Sequence, residues 1–457
     1  MGFVPSPPKF RLYLPDRAFP FGGAHQHFIL NLLVNAQRRY GDIYCLDLGM
    51  KQAVVLTQPA YAHHVLRSHA ANYPKGGALM TPLRTISGAG VTTASGQPWR
   101  EQRQTIQPFF QRQHITAQRT TTLASIEQSF ALLLPQPCQE TPVNISEFFT
   151  ILAAQMTAMN LCHAPLSLAQ IHQLHQAINT LNQHLLQGLL LPLAPSWLPL
   201  PGRRRHQRAI RQVHDVIAAL LVAGHHANQE GGTLFATLAD RTQTLADPTQ
   251  ARQQLHDEVL ALLIAGYETT ATALSWICYL LSQHPAALTT VQQEIDQVVG
   301  NRQPTADDVA ALPYLSAVIY ETLRLYPPSW RLARVAVEAD VIDGWRIEAG
   351  QSVLTLVYLI HRHPAFWVEP DRFLPERFLA QSGSVPTMST WLPFGLGSRK
   401  CVGQELALFE LKLILISLLQ RYHFAPHTPR HPGVQLAMTL KPRRDLWLRL
   451  TARASAA

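Results

Sequence analysis

From about residue 97 to residue 326 apolar side chains recur at three- and four-residue intervals in Leu/Ala/Gln-rich runs punctuated by prolines, a period that predicts a succession of helices. Val259 to Leu281 is apolar on nearly all sides, as a buried helix requires. An amphipathic stretch near His27 to Tyr40 and a run from Gln404 to Gln420 add two more helices. Ile43 to Leu48 and Ala53 to Leu56 are short apolar runs that read as strands. Strand signals return between Ala333 and Val357, where Asp343-Gly344 marks a turn between Val341-Ile342 and Trp345-Ile347, and in the alternating tail from Val434 to Leu450. A proline-rich arm opens the chain, and a loop of prolines and aromatics, His363 to Pro393, precedes the last helix. The pattern describes a mainly α protein with a small β-rich part: strands mainly in 40–60, 333–357 and 434–450, helices mainly in 97–326 and 404–420.

No Gly/Ser linker, composition shift or internal period divides the 457 residues, so one domain over 1–457 is expected. With 47% hydrophobic and 15% charged residues a large core is available. Cys45, Cys138, Cys162, Cys278 and Cys401 form no CxxC pair and are odd in number, which argues against a disulfide framework and for the cytoplasm. Met1 to Pro20 carries four prolines before Arg17 and no continuous apolar stretch, and the apolar segment Leu185 to Leu200 is broken by Pro192, Pro195 and Pro199. No transmembrane segment is expected, and the second stretch reads as a lid or loop. The formal charge of +9 admits nucleic acid, anionic membrane or an acidic protein as partner. Without zinc-finger spacing or an RNP motif, nucleic acid is not expected. Arg203-Arg204-Arg205 with Arg208 reads as a solvated helix start after Pro201-Gly202. The 21 histidines read as surface usage, and His63-His64 and His225-His226 lack the spacing of a metal site.

Candidate chemistry begins at Phe394-Gly395-Leu396-Gly397-Ser398-Arg399-Lys400-Cys401-Val402-Gly403. Gly395, Gly397 and Gly403 leave room for a flat group to approach the thiol, and Arg399 and Lys400 supply positive charge that favours a thiolate. Taken alone, the segment also fits a structural cysteine in a glycine-rich turn. In the apolar helix, Ala265, Glu268, Thr269 and Thr272 fall at i, i+3, i+4 and i+7 along one face, and Gly266 beside them leaves space for a small molecule or serves packing. An acid-alcohol pair in such surroundings is costly unless it has partners or a task. Glu321 and Arg324 sit one helical turn apart; an exposed pair of that kind is worth only about 0.3–0.5 kcal/mol. Trp99 and Arg103, at i and i+4 after Gly96, present an indole donor and a guanidinium on one face, a pairing suited to a carboxylate.

The spacing Phe-Gly-x-Gly-x-Arg-x-Cys-x-Gly resembles the haem-thiolate loop of the cytochrome P450 family at every defined position, and the other motifs agree with it from about Tyr40 to the end. The resemblance implies the P450 fold, with haem b held by Cys401 as iron ligand and dioxygen as co-substrate. It implies that Phe394, Gly395, Gly403 and Ala265 border the haem and that Trp99, Arg103, Arg334 and Arg399 are candidates for its propionates. Ala265-Gly266-Tyr267-Glu268-Thr269-Thr270 looks like the oxygen-binding helix, with Thr269 orienting water and dioxygen and Glu268 relaying protons; the family more often has His where Tyr267 stands. Glu321, Arg324 and Arg377, the last in Pro375-Glu376-Arg377-Phe378, resemble the family's structural triad.

The activity implied is a monooxygenase reaction on an apolar small molecule. The chain ends soon after the cysteine helix without a glycine-rich flavin or nicotinamide module, so a ferredoxin or flavodoxin with its reductase is the expected electron donor, attracted by Arg100, Arg399, Lys400 and Lys412. By resemblance, substrate contacts fall on Met80, Leu83, Ile86, Leu190, Trp197, Trp330, Leu332 and Met438, with few fixed charges. The run Glu321 to Trp330 looks like bacterial terpene oxidases and is also similar to fatty-acid hydroxylases. A peroxygenase of the same family is a further reading, against which Glu268-Thr269 counts, and a haem sensor or carrier is the reading from another class.

Overall fold

The computed structural model describes residues 4–11, 24–47, 52–77, 80–134, 142–190, 202–228, 233–379, 389–427 and 431–453. Trp197, Cys138 and the side chain of Leu190 lie outside the described residues.

A helix of 36 residues, Pro248–Gln283, runs through the principal core. Its start is fixed locally: Pro248 occupies the first turn, where no amide is needed, and the Asp247 carboxylate accepts from the Thr249 amide at 2.8 Å. Pro285 follows its end. The helix Ile145–Cys162 packs along it, with Leu168–Leu190, Arg203–Ala227 and Leu234–Gln243 around the pair. Pro313–Leu325 and Gln404–Arg421 close the other side. Among described helices only Pro248–Gln283 is long and apolar enough to cross a bilayer, and 78% of its apolar window is buried in the protein.

The strands gather mainly into a five-stranded sheet in the order Lys9–Arg11, Ile43–Asp47, Gln52–Leu56, Ser352–Thr355, Leu332–Val335. Its two ladders between distant segments, Ala53–Leu56 on Ser352–Thr355 and Lys9–Arg11 on Cys45–Asp47, are parallel. A three-stranded antiparallel sheet joins Pro142–Asn144 and Tyr422–Pro426 to Trp447–Ala452. The Asp343-Gly344 turn forms as predicted: both residues have positive φ, 50° and 78°, and Asp340–Ile342 pairs with Trp345–Ile347.

The sequence pattern missed Lys9–Arg11 and Pro142–Asn144, three-residue strands held by partners far along the chain. It also missed Tyr422–Pro426 and the helical pieces Pro59–His63, His64–Ser68 (a π-turn) and Thr81–Ser87.

A second hairpin, Val434–Leu436 with Leu440–Pro442, positions the site. The Trp276 indole donates to the Leu440 carbonyl at 2.8 Å and the Trp330 indole to the Ala437 carbonyl at 3.1 Å. Trp276 also stacks on Tyr326 with ring centroids 3.8 Å apart. These bonds hold the tip, Ala437 to Thr439, against the central helix.

Candidate active site at the cysteine loop

Cys401 closes a tight turn in which its amide donates to the Phe394 carbonyl at 2.9 Å, while the Phe394 ring packs edge-on against Trp391. The three glycines of the loop do different things. Gly395 and Gly397 both have φ of +72°, a conformation L side chains rarely adopt. A Cβ on Gly397 would lie 1.9 Å from the Leu66 carbonyl oxygen, so this glycine admits the π-turn rather than a cofactor. At Gly395 the nearest atom to such a Cβ is Leu332 Cδ1 at 3.7 Å. Gly403 has ordinary backbone; its Cβ would rest on Phe110 at 3.6 Å, and its amide bonds the thiol. The shared steric task expected of all three therefore reduces to Gly395.

Cys401 is exposed as a residue, although protein surrounds its thiol. Burial raises its pKa, against the pull of the Gly403 amide, Arg103, Lys75 and Lys400. Arg399, expected to act on the thiol, is turned away: it donates to the Ala94 carbonyl at 2.8 Å and stacks 3.6 Å from the Trp99 ring. Lys75, Arg103, Arg334 and Arg399 nevertheless form one electrostatic group with Cys401. No carboxylate among the described residues pairs with any of the four. Burial and mutual repulsion push Lys75 down to about 7 and Arg399 to about 10, and burial alone pushes Arg334 to about 10. Arg334 is buried and the other three are partly buried, and clustering cations away from water without counter-ions is costly, so this arrangement fits an anionic cofactor such as a dicarboxylate macrocycle beside a thiol. Lys75, held by the Thr92 carbonyl at 2.8 Å, was not found by sequence reasoning; a lone lysine in Pro74-Lys75-Gly76 gives no spacing signal.

The middle of the central helix is buried except at Ala265, Gly266 and Thr269. The Thr269 hydroxyl donates to the Ala265 carbonyl at 2.7 Å. Gly266 does not open space for a ligand, because its Cβ would lie 2.7 Å from Thr157 Cγ2; it lets Ile145–Cys162 approach. The expected single face divides between two cavities. One, of about 210 Å³, is lined by Ala265 with Lys75, Met80, Leu83, Leu332, Arg334 and Met438. The other, of about 430 Å³, is polar and takes Glu268 and Thr272 with Tyr267, His175, Asn179 and Lys441. Ile86 is core and Trp330 anchors the hairpin; neither lines the smaller cavity.

Glu268 is clamped. Its Oε1 accepts from Asn182 Nδ2 at 3.2 Å and Thr439 Oγ1 at 3.1 Å, while Oε2 has no hydrogen-bond partner among the described residues. Asn182 Oδ1 in turn accepts from the Met438 amide at 3.1 Å. The Tyr267 hydroxyl is buried and has no hydrogen-bond partner among the described residues, its pKa raised by burial and by Glu268. Asn182 also escaped sequence reasoning; its one trace is an amide beside Leu181 in an apolar helix.

Glu321 and Arg324 are fully buried, unlike the exposed pair their spacing alone describes. Arg324 bonds both carboxylate oxygens at 2.7 and 2.8 Å and the His361 and Pro370 carbonyls at 2.7 Å. Arg377 joins Glu321 at 3.1 Å, as does the Leu374 amide at 2.9 Å. Removing one member of such a buried set costs about 3–5 kcal/mol. His361, grouped with surface histidines in the sequence, is fully buried: Nε2 accepts the Leu392 amide at 2.7 Å and Nδ1–H donates to the Arg324 carbonyl at 3.1 Å. It ties the triad to the start of the cysteine loop. Burial and Arg324 push its pKa down to about 3.

The basic face expected for an electron donor is less complete than its residues imply. Arg399 points inward, and Lys412 is half-buried with its ammonium on the Val309 carbonyl at 2.8 Å. Among the described residues no group of three or more His, Cys, Asp or Glu side chains could hold a metal ion.

The family model for cytochrome P450 matches residues 7–447. Cyclooctatin synthase of Streptomyces melanosporofaciens is 31% identical over 427 residues, covering 89% of this chain and 88% of that protein. Pentalenene oxygenase of Streptomyces avermitilis is 30% identical over 420 residues, covering 91% of each. The crystal structure of a cytochrome P450DA heme domain superposes with a TM-score of 0.81 at 23% identity, over 99% of this chain and 98% of that one. The family match spans the central helix, the buried triad and the cysteine loop, and the chain belongs to the cytochrome P450 family.

Proposed function

We propose that this P450 monooxygenase holds haem b through the Cys401 thiolate and oxidises an apolar small molecule, with terpenoids the preferred class, using electrons from a separate ferredoxin or flavodoxin type donor. The observation that carries the reading is the exposed Cys401 beside four cations, Arg334 buried and Lys75, Arg103 and Arg399 partly buried, with which no carboxylate among the described residues pairs. Trp99, Arg103, Arg334, Arg399 and Lys75 are the groups to hold the propionates, with Phe394, Gly395, Gly403 and Ala265 bordering the ring. The names of the related Streptomyces proteins support the terpenoid class.

Haem with a thiolate ligand, once bound, supplies dioxygen activation and C–H oxidation. The chain supplies the rest. Met80, Leu83, Leu332 and Met438 present apolar surface to substrate and exclude water from the smaller cavity. Thr269 lines neither cavity but is accessible one turn from Ala265, and its hydroxyl oxygen, with the proton held on the Ala265 carbonyl, is free to accept a hydrogen bond from a bound molecule. Glu268, with Oε1 fixed and Oε2 without a partner among the described residues, takes a proton from the polar cavity and passes it toward Thr269 in this reading. Glu321, Arg324 and Arg377 hold the loop that carries Cys401 in register.

The test is the absorption spectrum of reduced protein with carbon monoxide, for wild type and Cys401→Ser, followed by product analysis with a surrogate reductase on terpene hydrocarbons. A strongly red-shifted Soret band in wild type alone is expected. A histidine-like band in folded wild type, or no oxidised product from any apolar compound, refutes the reading.

A further inference from the structure

Arg331 is a cation without an anionic counterpart among the described residues, in a cavity whose apolar wall faces it and whose other cations, Lys75 and Arg334, belong to the group around Cys401. It immediately precedes the strand Leu332–Val335 and lines the 210 Å³ cavity with Met80, Leu83, Leu332 and Met438. Its guanidinium lies 5.0 Å from the centre of the Trp330 ring. No hydrogen bond or ion pair joins it to another described residue. Burial alone pushes its pKa down to about 10, with no neighbouring charge contributing. That separates it from Arg334, three residues on, which bears on Lys75 and Arg399 in the group around Cys401.

A guanidinium keeps its proton and offers five donors in a planar fork. One aromatic face satisfies none of those donors, and enclosing the charge is unfavourable unless an anion arrives with the ligand. We propose that Arg331 anchors a carboxylate, so that the substrate is an apolar acid whose hydrocarbon lies against Met80, Leu83, Leu332 and Met438. The inference rests on the monooxygenase reading of the same cavity and narrows its substrate class. A bidentate Arg–carboxylate bond fixes one end of the molecule and thereby selects which carbon faces the Cys401 side.

The test uses haem-loaded protein and two matched pairs, decanoic acid with methyl decanoate and geranic acid with methyl geranate. Binding is read from the ferric spin-state shift and, for ligands that leave the spin state unmoved, from titration calorimetry. Wild type is expected to bind at least one acid roughly 10- to 100-fold more tightly than its ester. Arg331→Leu loses that preference with ester affinity unchanged, and Arg331→Lys retains part of it. Haem content and the carbon monoxide band stay as in wild type in both variants. Equal affinity for acid and ester, a preference that survives Arg331→Leu, or failure of every acid to bind a protein with a normal thiolate band overturns the proposal and leaves the monooxygenase reading standing. Haem loss in Arg331→Leu but not in Arg331→Lys assigns the residue to the cofactor and equally overturns it. Absence of the thiolate band in wild type instead refutes the underlying reading.

Discussion

His361 makes the stability of the loop support depend on pH in a way that can be isolated. Its ring is neutral in the folded protein, with Nε2 accepting from Leu392 and Nδ1–H donating to Arg324, and its pKa is pushed down to about 3. In the unfolded chain an imidazole titrates near 6.5. The folded value is the lower, so the contribution is fully present above the unfolded pKa and is lost as pH falls toward 3. Between about pH 7 and pH 5 the unfolded state takes up a proton that the folded state refuses, which costs roughly 2 kcal/mol. This figure hardly depends on how far below 5 the folded pKa lies. His361→Gln removes the titration and replaces two good hydrogen bonds with poorer ones, at about 1–3 kcal/mol near neutral pH. The expectation is therefore a wild type more stable than the variant at pH 7 and nearly equal to it at pH 5. Urea midpoints of both haem-loaded proteins at the two pH values, with equal slopes checked, measure the gap; other titrating groups, His175 included, cancel in the comparison. A gap that does not change with pH, or an imidazole resonance of His361 that titrates between 8 and 5, refutes the reasoning.

Glu268→Gln keeps an acceptor for Asn182 and Thr439 but cannot carry a proton; product formed per electron pair should fall roughly 100-fold while the carbon monoxide band and substrate binding stay unchanged. Gly397→Ala meets left-handed strain of about 1–2 kcal/mol and, in addition, the Leu66 carbonyl, whereas Gly395→Ala meets the strain with only an ordinary contact to Leu332. Urea midpoints should therefore fall further for Gly397→Ala, and equal losses would contradict the packing argument. Lys75→Met removes one cation facing the expected propionates, so haem transfer to an acceptor globin should speed up roughly tenfold or more; an unchanged rate would take Lys75 out of the cofactor site.

What could be read in advance follows how local each signal is. The Asp343-Gly344 turn, the central helix and the cysteine loop are specified within a dozen neighbouring residues, and all lie where the pattern places them. Glu321 and Arg324 were visible as a pair, but spacing alone cannot distinguish a solvated pair from a buried one; burial comes from Trp367, Pro370 and Arg372 folding over Arg324. Asn182 and His361 take their meaning from partners far along the chain, Glu268 and Leu392, so no periodicity announces them. Gly266 shows the same limit from the other side. A glycine beside an acid-alcohol pair suggests room for a ligand, while the space is taken by Thr157 of another helix.

The hairpin tip joins two kinds of change that could otherwise drift apart. Met438 lines the smaller cavity, and its immediate neighbour Thr439 holds the carboxylate on the side of the larger one, with Asn182 bonded both to the Met438 amide and to Glu268. Met80 and Leu83, on a separate segment, share none of these bonds. Over evolutionary time the substrate chamber can be reshaped from the Met80 and Leu83 wall with the acid left in place. Remodelling it from Met438 shifts the acid as well, so diversification of substrate within this lineage should run along the first wall and stall at the second.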